Sequence, residues 1–227
     1  MKISICAIGE CMIEITNIKN NLYNFSIAGD TLNFLTYLKK NNFKKFYLTA
    51  VGDSDININV LNFLESKKIN INFVSKNISK EIGLYLIKNK KSGEKEFYYW
   101  RDNSAAKFFF NNLPKNYKLG KIHFNYIYLT GVTLSLLENK NIEKFINFIN
   151  FFKKKQSKII FDLNLRPKRW IKKNLSLSLK KILNITDILF ASGEDLTYWK
   201  GENKLSSFEV LLNNYNITHG VYRKNAR

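Results

Sequence analysis

The sequence predicts an α/β fold: a doubly wound, mostly parallel sheet with helices on both faces and a small β flap. Strand-like apolar runs alternate with segments of helical periodicity along most of the 227 residues. Hydrophobic residues make up 45% of the chain, which is enough apolar material for a packed core. One pair of strand-like segments departs from this alternation, because only a short polar turn separates them.

The first part of the chain alternates between strand and helix patterns. The apolar run Ile3–Ile8 predicts a first strand, and leucines at helical spacing predict a helix over Asp30–Lys40. Lys45–Val51 is again strand-like, and Ile56–Lys68 carries apolar residues on one helical face. A short strand is expected at Asn72–Val74.

The flap is predicted from the two segments that depart from the alternation. Gly83–Lys88 and Lys95–Arg101 flank the polar stretch Asn89–Glu94, which contains Ser92-Gly93. Two strand-like runs joined by such a turn are typical of a β-hairpin. We therefore expect an antiparallel flap here rather than another part of the parallel core.

The alternation resumes in the second half of the chain. Tyr126–Leu129, Ile159–Leu163 and Ile188–Ala191 are apolar runs of strand length. A long helix is predicted over Glu138–Lys154, and another begins at Glu194–Lys200. This order favours parallel strands joined by helices.

The basic charge does not by itself indicate a nucleic-acid partner. The formal net charge is +19, but only five of the 37 basic residues are Arg, and the lysines are scattered along the chain. Codon drift toward Lys and Asn in an AT-rich genome would produce such a composition. Arginines interleaved with aromatics, as in nucleic-acid-binding modules, are missing from the sequence. We expect no nucleic-acid partner, although a basic nucleic-acid-binding protein remains the alternative.

The sequence also argues against a membrane span and a disulfide framework. No apolar run approaches the eighteen or so residues that a membrane helix needs. The two cysteines, Cys6 and Cys11, lie in or just after the first strand and form no metal-like cluster. We expect a cytoplasmic protein without a membrane partner.

Ligands of doubly wound sheets bind where the strands end, at their carboxyl edge. The first candidate there is Ala28–Asn33, just before a predicted helix. Its small residues allow a ligand to approach the backbone, and Asp30 and Asn33 could both point at one bound polyol. The alternative is a helix cap formed by Asp30 or Thr31.

The second candidate is the aromatic segment Glu96–Arg101 of the flap. Alternation places Phe97, Tyr99 and Arg101 on one face, and Tyr85 of the neighbouring strand could join them. A guanidinium can hold a carboxylate through two hydrogen bonds, and a phenol can support it. The alternative is an aromatic strand packed on the sheet that ends in a solvated Arg101.

Two further candidates follow later strands. A strand that continues from Asp162 to Arg166 would place Asp162, Asn164 and Arg166 on one side, and Pro167 would end it. This set suits the binding of phosphate or of a metal–phosphate complex, and polar capping of a strand end is the alternative. Ser192–Asp195 matches a helix capping box, although its acids could also organise water around Mg²⁺.

Taken in order, these residues resemble the ribokinase-like (PfkB) carbohydrate kinases, and within them the ketodeoxygluconate kinases most of all. The segment Tyr98-Tyr99-Trp100-Arg101 is the part that distinguishes kinases of sugar acids from ribokinases and fructokinases. The motifs that match in the family's order are Gly9-Glu10-Cys11-Met12, Gly29-Asp30-Thr31-Leu32-Asn33, Gly52-Asp53, Gly83-Leu84-Tyr85, Phe97-Tyr98-Tyr99-Trp100-Arg101, Leu129-Thr130-Gly131 and Asp162-Leu163-Asn164-Leu165-Arg166-Pro167.

The resemblance implies a fold and an activity. The fold is a three-layer α/β/α domain over residues 1–227, with lid strands at approximately 12–28 and 83–101. The activity is transfer of phosphate from ATP, with Mg²⁺, to the terminal hydroxyl of 2-keto-3-deoxygluconate, which gives its 6-phosphate. A homo-oligomer paired through the lid is also implied. A related kinase of fructose or of another deoxygluconate is the alternative.

The resemblance also implies roles for individual residues. Ser192 to Asp195 corresponds to an Asn-x-x-Glu segment of the family that is linked to Mg²⁺, and Asp195 is the implied metal residue. The implied nucleotide-binding residues are Asn164, Arg166 and Ser192. The implied substrate-binding residues are Gly29, Asp30, Asn33, Tyr85, Tyr99, Arg101 and Arg166.

One family motif does not occur in the 227 residues. The family carries a Gly-Ala-Gly-Asp segment whose glycines form an anion hole and whose Asp is the general base, and no Gly-x-Gly-Asp is found here. We therefore expect no catalytic base among these residues. We further expect a C-terminally truncated chain that is a poor kinase or a non-catalytic remnant, because phosphoryl transfer depends on those groups.

Overall fold

A computed structural model describes residues 2–19, 22–39, 42–90, 93–111, 122–171 and 174–224. The chain divides into two compact units, of which the first comprises residues 1–2 and 9–117 and the second residues 3–8 and 118–227. The elements in chain order are β1 (Ile3–Ile8), β2 (Met12–Lys19), β3 (Leu22–Ala28), α1 (Asp30–Tyr37), β4 (Phe43–Val51), α2 (Asp55–Ser66), β5 (Ile69–Asn70), β6 (Val74–Lys76), β7 (Gly83–Asn89), β8 (Lys95–Trp100), β9 (Tyr126–Thr130), α3 (Gly131–Leu136), α4 (Asn139–Lys154), β10 (Lys158–Asp162), α5 (Leu175–Leu183), β11 (Ile188–Ser192), α6 (Gly193–Lys200), α7 (Leu205–Asn214) and β12 (His219–Arg223).

The second unit contains a parallel sheet. Five of its strands lie in the order β12-β11-β10-β9-β1, and every pair among them is parallel. Strands β1, β9, β10 and β11 are short and largely buried, as expected for strands that are covered on both faces, whereas the edge strand β12 is mostly exposed. Because all five run the same way, their carboxyl ends meet at one edge, where Thr130, Asp162 and Ser192 lie. The predicted α/β class with a mostly parallel sheet is confirmed.

The first unit contains a separate four-stranded sheet, which we call the small sheet, in the order β3-β2-β7-β8. The hairpin β7–β8 is antiparallel, as predicted, but β2 pairs with β7 in parallel, so the small sheet is mixed. Residues 91–92 of the predicted turn lie outside the described residues. The same unit holds β4 with β5 and β6 paired to it in parallel, and the helices α1 and α2.

Amphipathic helices close the core of each unit. Helix α4, predicted over Glu138–Lys154, buries Ile142, Phe145, Ile146 and Ile149 along one face. Helices α3, α5 and α7 and strands β5 and β12 were not predicted, and the short strand expected at Asn72–Val74 is instead a turn that leads into β6. Among the described residues, no helix combines the length and the apolar character that a membrane crossing requires.

The strand predicted to run from Ile159 into Arg166 ends earlier than expected. Strand β10 stops at Asp162, and residues 163–166 have no regular structure. Asn164 has a positive φ of 32°, which an extended strand does not tolerate. The expectation that alternation brings Asp162, Asn164 and Arg166 to one side of a continuous strand was therefore wrong.

Candidate functional site

Glu10 is the centre of a polar cluster in the first unit. It lies between β1 and β2, and only 1% of its surface is exposed. One carboxylate oxygen accepts a hydrogen bond from Nη2 of Arg101, with which it forms an ion pair. The other oxygen accepts a hydrogen bond of 2.6 Å from Oγ of Ser104. Each carboxylate oxygen of Glu10 therefore already accepts a hydrogen bond from another side chain.

Two glycines allow the chain to pass close to Glu10. Gly29 has a φ of 155°, and a Cβ there would lie 2.4 Å from the backbone oxygen of Glu10. A Cβ on Gly83 would lie 3.0 Å from a carboxylate oxygen of Glu10 and 3.1 Å from Cβ of Arg101. The predicted close approach at Gly29 is therefore present, and its neighbour is the backbone of Glu10 and Cys11.

The predicted aromatic row on the flap is present. The rings of Tyr85 and Tyr99 have centroids 5.6 Å apart, and those of Phe97 and Tyr99 are 6.3 Å apart and stacked. The guanidinium carbon of Arg101 lies 5.7 Å from the centroid of Tyr99. The alternation of side chains along β8 accounts for this row, since Tyr85 is the direct neighbour of Tyr99 across the hairpin.

Arg101 is not the solvated residue of the alternative interpretation. Its side chain is only 10% exposed, and it is paired with Glu10. Sequence reasoning did not include Glu10 among the site residues, although Glu10 belongs to the family motif Gly9-Glu10-Cys11-Met12. The pairing joins residues that are 91 positions apart, so no local pattern indicates it.

Tyr85 is held by a second carboxylate. Its hydroxyl donates a hydrogen bond to Glu14 of β2, whose other oxygen accepts hydrogen bonds from Ser26 and Thr16. Burial, followed by the hydrogen bond to Glu14, raises the pKa of Tyr85. The phenol therefore stays protonated, and its oxygen keeps lone pairs that can accept a hydrogen bond from a ligand.

Helix α1 begins directly after Gly29. Gly29 itself is the N-cap, and no described side chain caps the helix, so the predicted cap by Asp30 or Thr31 is not formed. The carboxylate of Asp30 accepts a hydrogen bond of 2.8 Å from the backbone of Thr31. Asn33, on the same first turn, is exposed. Binding of a polyol by Asp30 and Asn33 stays a prediction.

Cys11 is an inert buried thiol in this cluster. Burial, and after it the charge of Glu10, raises the pKa of Cys11 from 9.0 to about 12. Burial also raises the pKa of Tyr47, whose hydroxyl lies 3.1 Å from Oγ1 of Thr31. A thiol that stays protonated at neutral pH is a poor nucleophile, so Cys11 contributes packing rather than chemistry.

In the second unit, hydrogen bonds hold the backbone of residues 163–166. Leu163 donates to the carbonyl of Phe190 at 2.9 Å, and Gly131 donates to the carbonyl of Leu163 at 3.1 Å. Leu165 donates to a carboxylate oxygen of Asp195 at 2.6 Å. Asn164 is half-buried and Arg166 is exposed. Their backbone is thus fixed while the Arg166 side chain remains accessible.

Asp162 and Arg223 form an ion pair at the carboxyl edge of the parallel sheet. Nη2 of Arg223 lies 2.9 Å from one oxygen of Asp162, and the Tyr128 hydroxyl lies 3.4 Å from the other. The Arg223 side chain is 45% exposed. Sequence reasoning selected Asp162 but not Arg223, because the partner lies 61 residues further along the chain.

Ser192 and Asp195 form the capping box that the sequence predicted. Oγ of Ser192 accepts a hydrogen bond from the Asp195 backbone at 3.2 Å, and Asp195 accepts from the backbone and hydroxyl of Ser192 at 2.8 and 2.6 Å. Because its other oxygen binds the Leu165 backbone, Mg²⁺ would have to compete with these hydrogen bonds. The roles of Ser192 in nucleotide binding and of Asp195 in metal binding stay predictions.

The described residues contain no ready-made metal centre. They include no group of three or more His, Cys, Asp or Glu side chains that could hold a metal ion. The predicted site residues fall into two sets. Gly29, Asp30, Asn33, Tyr85, Tyr99 and Arg101 belong to the first unit, and Asn164, Arg166, Ser192 and Asp195 belong to the second.

Comparison with known proteins agrees with the motifs. The family model described as pfkB family carbohydrate kinase matches residues 2–224. The 2-dehydro-3-deoxygluconokinase of Escherichia coli K12 is 28% identical to this chain over 232 residues, which cover all of this chain and 75% of the relative. That of Dickeya dadantii is 30% identical, and the match covers 96% of this chain and 70% of the relative.

Solved structures show the same fold. The 2-dehydro-3-deoxygluconokinase of Thermotoga maritima has a TM-score of 0.79 at 16% identity, covering 95% of this chain and 70% of the other. A fructokinase of Xylella fastidiosa with bound ATP has a TM-score of 0.80 at 14% identity, covering 100% of this chain and 69% of the other. Because the family model matches almost the whole of this chain, the chain belongs to the pfkB family of carbohydrate kinases, which are ATP-dependent sugar kinases.

Proposed function

We propose that this chain is a sugar-acid kinase of the pfkB family that uses 2-keto-3-deoxygluconate and phosphorylates its terminal hydroxyl to give the 6-phosphate. The observation that carries the proposal is the row of Tyr85, Tyr99 and Arg101 on one face of the hairpin. Arg101 and Gly29 both contact the same residue, Glu10. The names of the Escherichia coli and Dickeya dadantii relatives support the choice of substrate.

The row suits a small polar ligand that carries a carboxylate. A guanidinium has five N–H donors, of which one on Nη2 is used by Glu10. Its remaining terminal donors can bind a ligand carboxylate, and the Tyr99 hydroxyl can support it. The Tyr85 hydroxyl already donates its one hydrogen bond to Glu14. We assign Tyr85 as an acceptor for a sugar hydroxyl rather than as a donor to the carboxylate.

The first turn of α1 supplies the polyol side of the proposed site. Asp30 and Asn33 occupy that turn, and Gly29 brings backbone close to the Glu10 cluster. Carboxylate and amide side chains together can both accept from and donate to sugar hydroxyls. We assign Gly29, Asp30 and Asn33 to the hydroxyls of the sugar acid.

ATP is the proposed phosphate donor. We assign Asn164, Arg166 and Ser192 to its phosphates, because a fixed backbone with an exposed guanidinium suits phosphate oxygens. We also assign Arg166 to the transferred phosphate on the substrate side. The ATP bound in the Xylella fastidiosa fructokinase, a protein of the same fold, supports this choice. Mg²⁺, if held by this chain, would be held near Asp195, and it would neutralise charge on the phosphates.

No general base is assigned to this chain. Its 227 residues contain no Gly-x-Gly-Asp sequence, the family segment that carries the base. These residues are therefore assigned to binding of the sugar acid and ATP, which can be measured independently of turnover.

Calorimetry with 2-keto-3-deoxygluconate and with fructose, a neutral ketose, tests the proposal. We expect the sugar acid to bind at least ~10-fold more tightly than fructose, since about 1.4 kcal/mol of charge-assisted hydrogen bonding gives that ratio. Equal affinities, or no binding of the sugar acid, would contradict the proposed substrate. Release of ADP that depends on the sugar acid would show turnover.

Tyr99→Phe with Tyr98→Phe as its matched control locates the binding face. Both tyrosines are exposed neighbours on β8 and lie on opposite faces of the small sheet. We expect Tyr99→Phe to weaken sugar-acid binding about 3- to 10-fold, the effect of one lost hydrogen bond, and Tyr98→Phe to leave it unchanged. A larger effect of Tyr98→Phe would place the ligand on the other face.

We also propose that a second copy of this chain covers the other face of the small sheet. Phe25, Tyr98 and Trp100 lie on that face and are each at least 40% exposed. Exposed apolar side chains grouped on one sheet face favour association. Light scattering should show a dimer that Trp100→Lys converts to monomer, and a monomeric wild-type protein would refute the pairing.

We further propose that the protein is cytoplasmic and has no nucleic-acid or membrane partner.

A further inference from the structure

We infer that Glu10 is a positioning residue for Arg101, and that it sets the preference of the site for a sugar acid over a neutral sugar. The inference rests on the proposed function and deepens it. Sequence reasoning assigned no role in binding to Glu10. The structure brings its carboxylate into contact with the arginine that is proposed to bind the ligand carboxylate.

The carboxylate of Glu10 is itself held in place. Its side chain is fully buried, and each of its oxygens has a partner, Arg101 on one side and Ser104 on the other. Ser104 is tied to the same strand end, since its backbone donates to the carbonyl of Arg101 at 3.2 Å. The chain at Gly29 and Gly83 passes so close to Glu10 that a Cβ at either position would lie within 3.0 Å of a Glu10 oxygen. A carboxylate enclosed in this way acts as a rigid acceptor.

The guanidinium of Arg101 depends on that acceptor for its orientation. Its Nε is buried and finds no hydrogen-bond partner among the residues that the structure describes. The hydrogen bond from Nη2 to Glu10 therefore orients the group, with the ring of Tyr99 beside it at 5.7 Å. Moving the Glu10 carboxylate should shift the donors that Arg101 presents to a ligand, and small shifts weaken bidentate hydrogen bonds strongly.

Glu10→Asp is the informative substitution, because it keeps the charge and withdraws the carboxylate by one methylene. The readout is the ratio of the dissociation constants for fructose and for 2-keto-3-deoxygluconate, measured by calorimetry on the full chain. We expect Glu10→Asp to lower this ratio about 5- to 10-fold, the equivalent of roughly one ordinary hydrogen bond. A purely structural role would weaken both ligands alike and leave the ratio unchanged.

A double-mutant cycle tests whether Glu10 acts through Arg101. Arg101→Gln keeps a donor for Glu10 but removes the charge, and we expect it to abolish the preference for the sugar acid. In that background Glu10→Asp should change the ratio by less than about 2-fold. If the two substitutions lower the ratio independently, Glu10 acts by another route and the inference is overturned.

Ser104→Ala provides a second, milder variant in case Glu10→Asp does not fold. It removes one hydrogen bond to Glu10 without leaving a buried charge unpaired. We expect the ratio to fall about 2- to 4-fold, in the same direction. An unchanged ratio would count against the inference. A wild-type protein without any preference for the sugar acid would instead refute the proposed function, so the two failures can be distinguished.

Discussion

Two arginine–carboxylate pairs, one in each unit, use the same chemistry in different surroundings. In the pair of Arg101 and Glu10, the side chains are 10% and 0% exposed. In the pair of Arg223 and Asp162, the arginine side chain is 45% exposed. Water can solvate Arg223 when its partner is lost, but it cannot reach Arg101 to the same extent. Burial, rather than the ion pair itself, therefore determines how much stability is lost when the partner carboxylate of each arginine is removed.

Loss of the buried acid is expected to have the largest effect. Glu10→Ala leaves the Arg101 guanidinium buried without a counter-charge, which typically costs about 3–5 kcal/mol. Urea denaturation should show that loss in the free energy of unfolding. A loss below ~1 kcal/mol would show that Arg101 moves into solvent when Glu10 is removed. It would contradict the view that the buried pair costs more to break than the half-exposed one.

Gly29→Ala tests how tightly the chain encloses Glu10. The added Cβ would lie 2.4 Å from the Glu10 carbonyl oxygen, at a φ of 155°. We expect a loss of about 2–4 kcal/mol in the free energy of unfolding, from overpacking and backbone strain together. Gly93→Ala is the control, because Gly93 has a φ of 83° and none of the described residues would lie within 4 Å of a Cβ added there. Gly93→Ala should cost about 1 kcal/mol of unfolding free energy. Equal losses for the two variants would show that the close approach to Glu10 contributes nothing to the cost of Gly29→Ala.

Asp195→Asn tests the carboxylate that holds residues 163–166 in the second unit. Asn keeps one acceptor oxygen and loses the charge, so it gives up either the hydrogen bond from Leu165 or those from Ser192. We expect a loss of about 1–3 kcal/mol in the free energy of unfolding. The neighbouring Glu194 is exposed on the same helical turn, and Glu194→Gln should stay within ~0.5 kcal/mol of wild type. Similar losses for both variants would contradict a specific role of Asp195.

Alkaline pH should weaken the Glu10 cluster through Cys11. Folding raises the pKa of the Cys11 thiol from 9.0 to about 12, so protonation of this thiol stabilises the folded protein relative to the unfolded chain. This contribution is complete below pH 9.0 and is lost as the pH rises toward about 12. Wild type should lose up to about 1.4 kcal/mol per pH unit more than Cys11→Ala over that range. Parallel stability curves for the two proteins would contradict the raised pKa.

Arg223→Gln should have the smallest effect. Because Arg223 is half exposed, its pair with Asp162 should contribute less than about 1 kcal/mol to the free energy of unfolding. The difference from wild type should shrink further at high salt, where partly exposed charges are screened. A loss as large as that of Glu10→Ala, or one that salt does not reduce, would show that the two pairs are equivalent.

Local patterns predicted the parts of the site that depend on neighbours in the sequence. The Ser192–Asp195 capping box was identified because its hydrogen bonds span three residues. The row of Phe97, Tyr99 and Arg101 followed from alternation along one strand, and Tyr85 joined it because the turn sets the register of the hairpin.

Other features were missed because contacts distant in sequence decide them. Strand β10 was expected to continue to Arg166, but hydrogen bonds from Leu163 and Leu165 to later elements turn the chain there. Tyr85 was expected to share the face of Tyr99 and Arg101, but no sequence pattern indicated that its hydroxyl donates a hydrogen bond to Glu14.

The sequence by itself determined the alternation of strands and helices, the hairpin and the side-chain row on β8, because each depends on periodicities of a few residues. Only the tertiary structure decided that Glu10 is the partner of Arg101 and that Asp195 binds the Leu165 backbone. Those pairs are 91 and 30 residues apart. Their energies come from burial and hydrogen bonding that exist only once the chain has folded, so no spacing in the sequence can encode them.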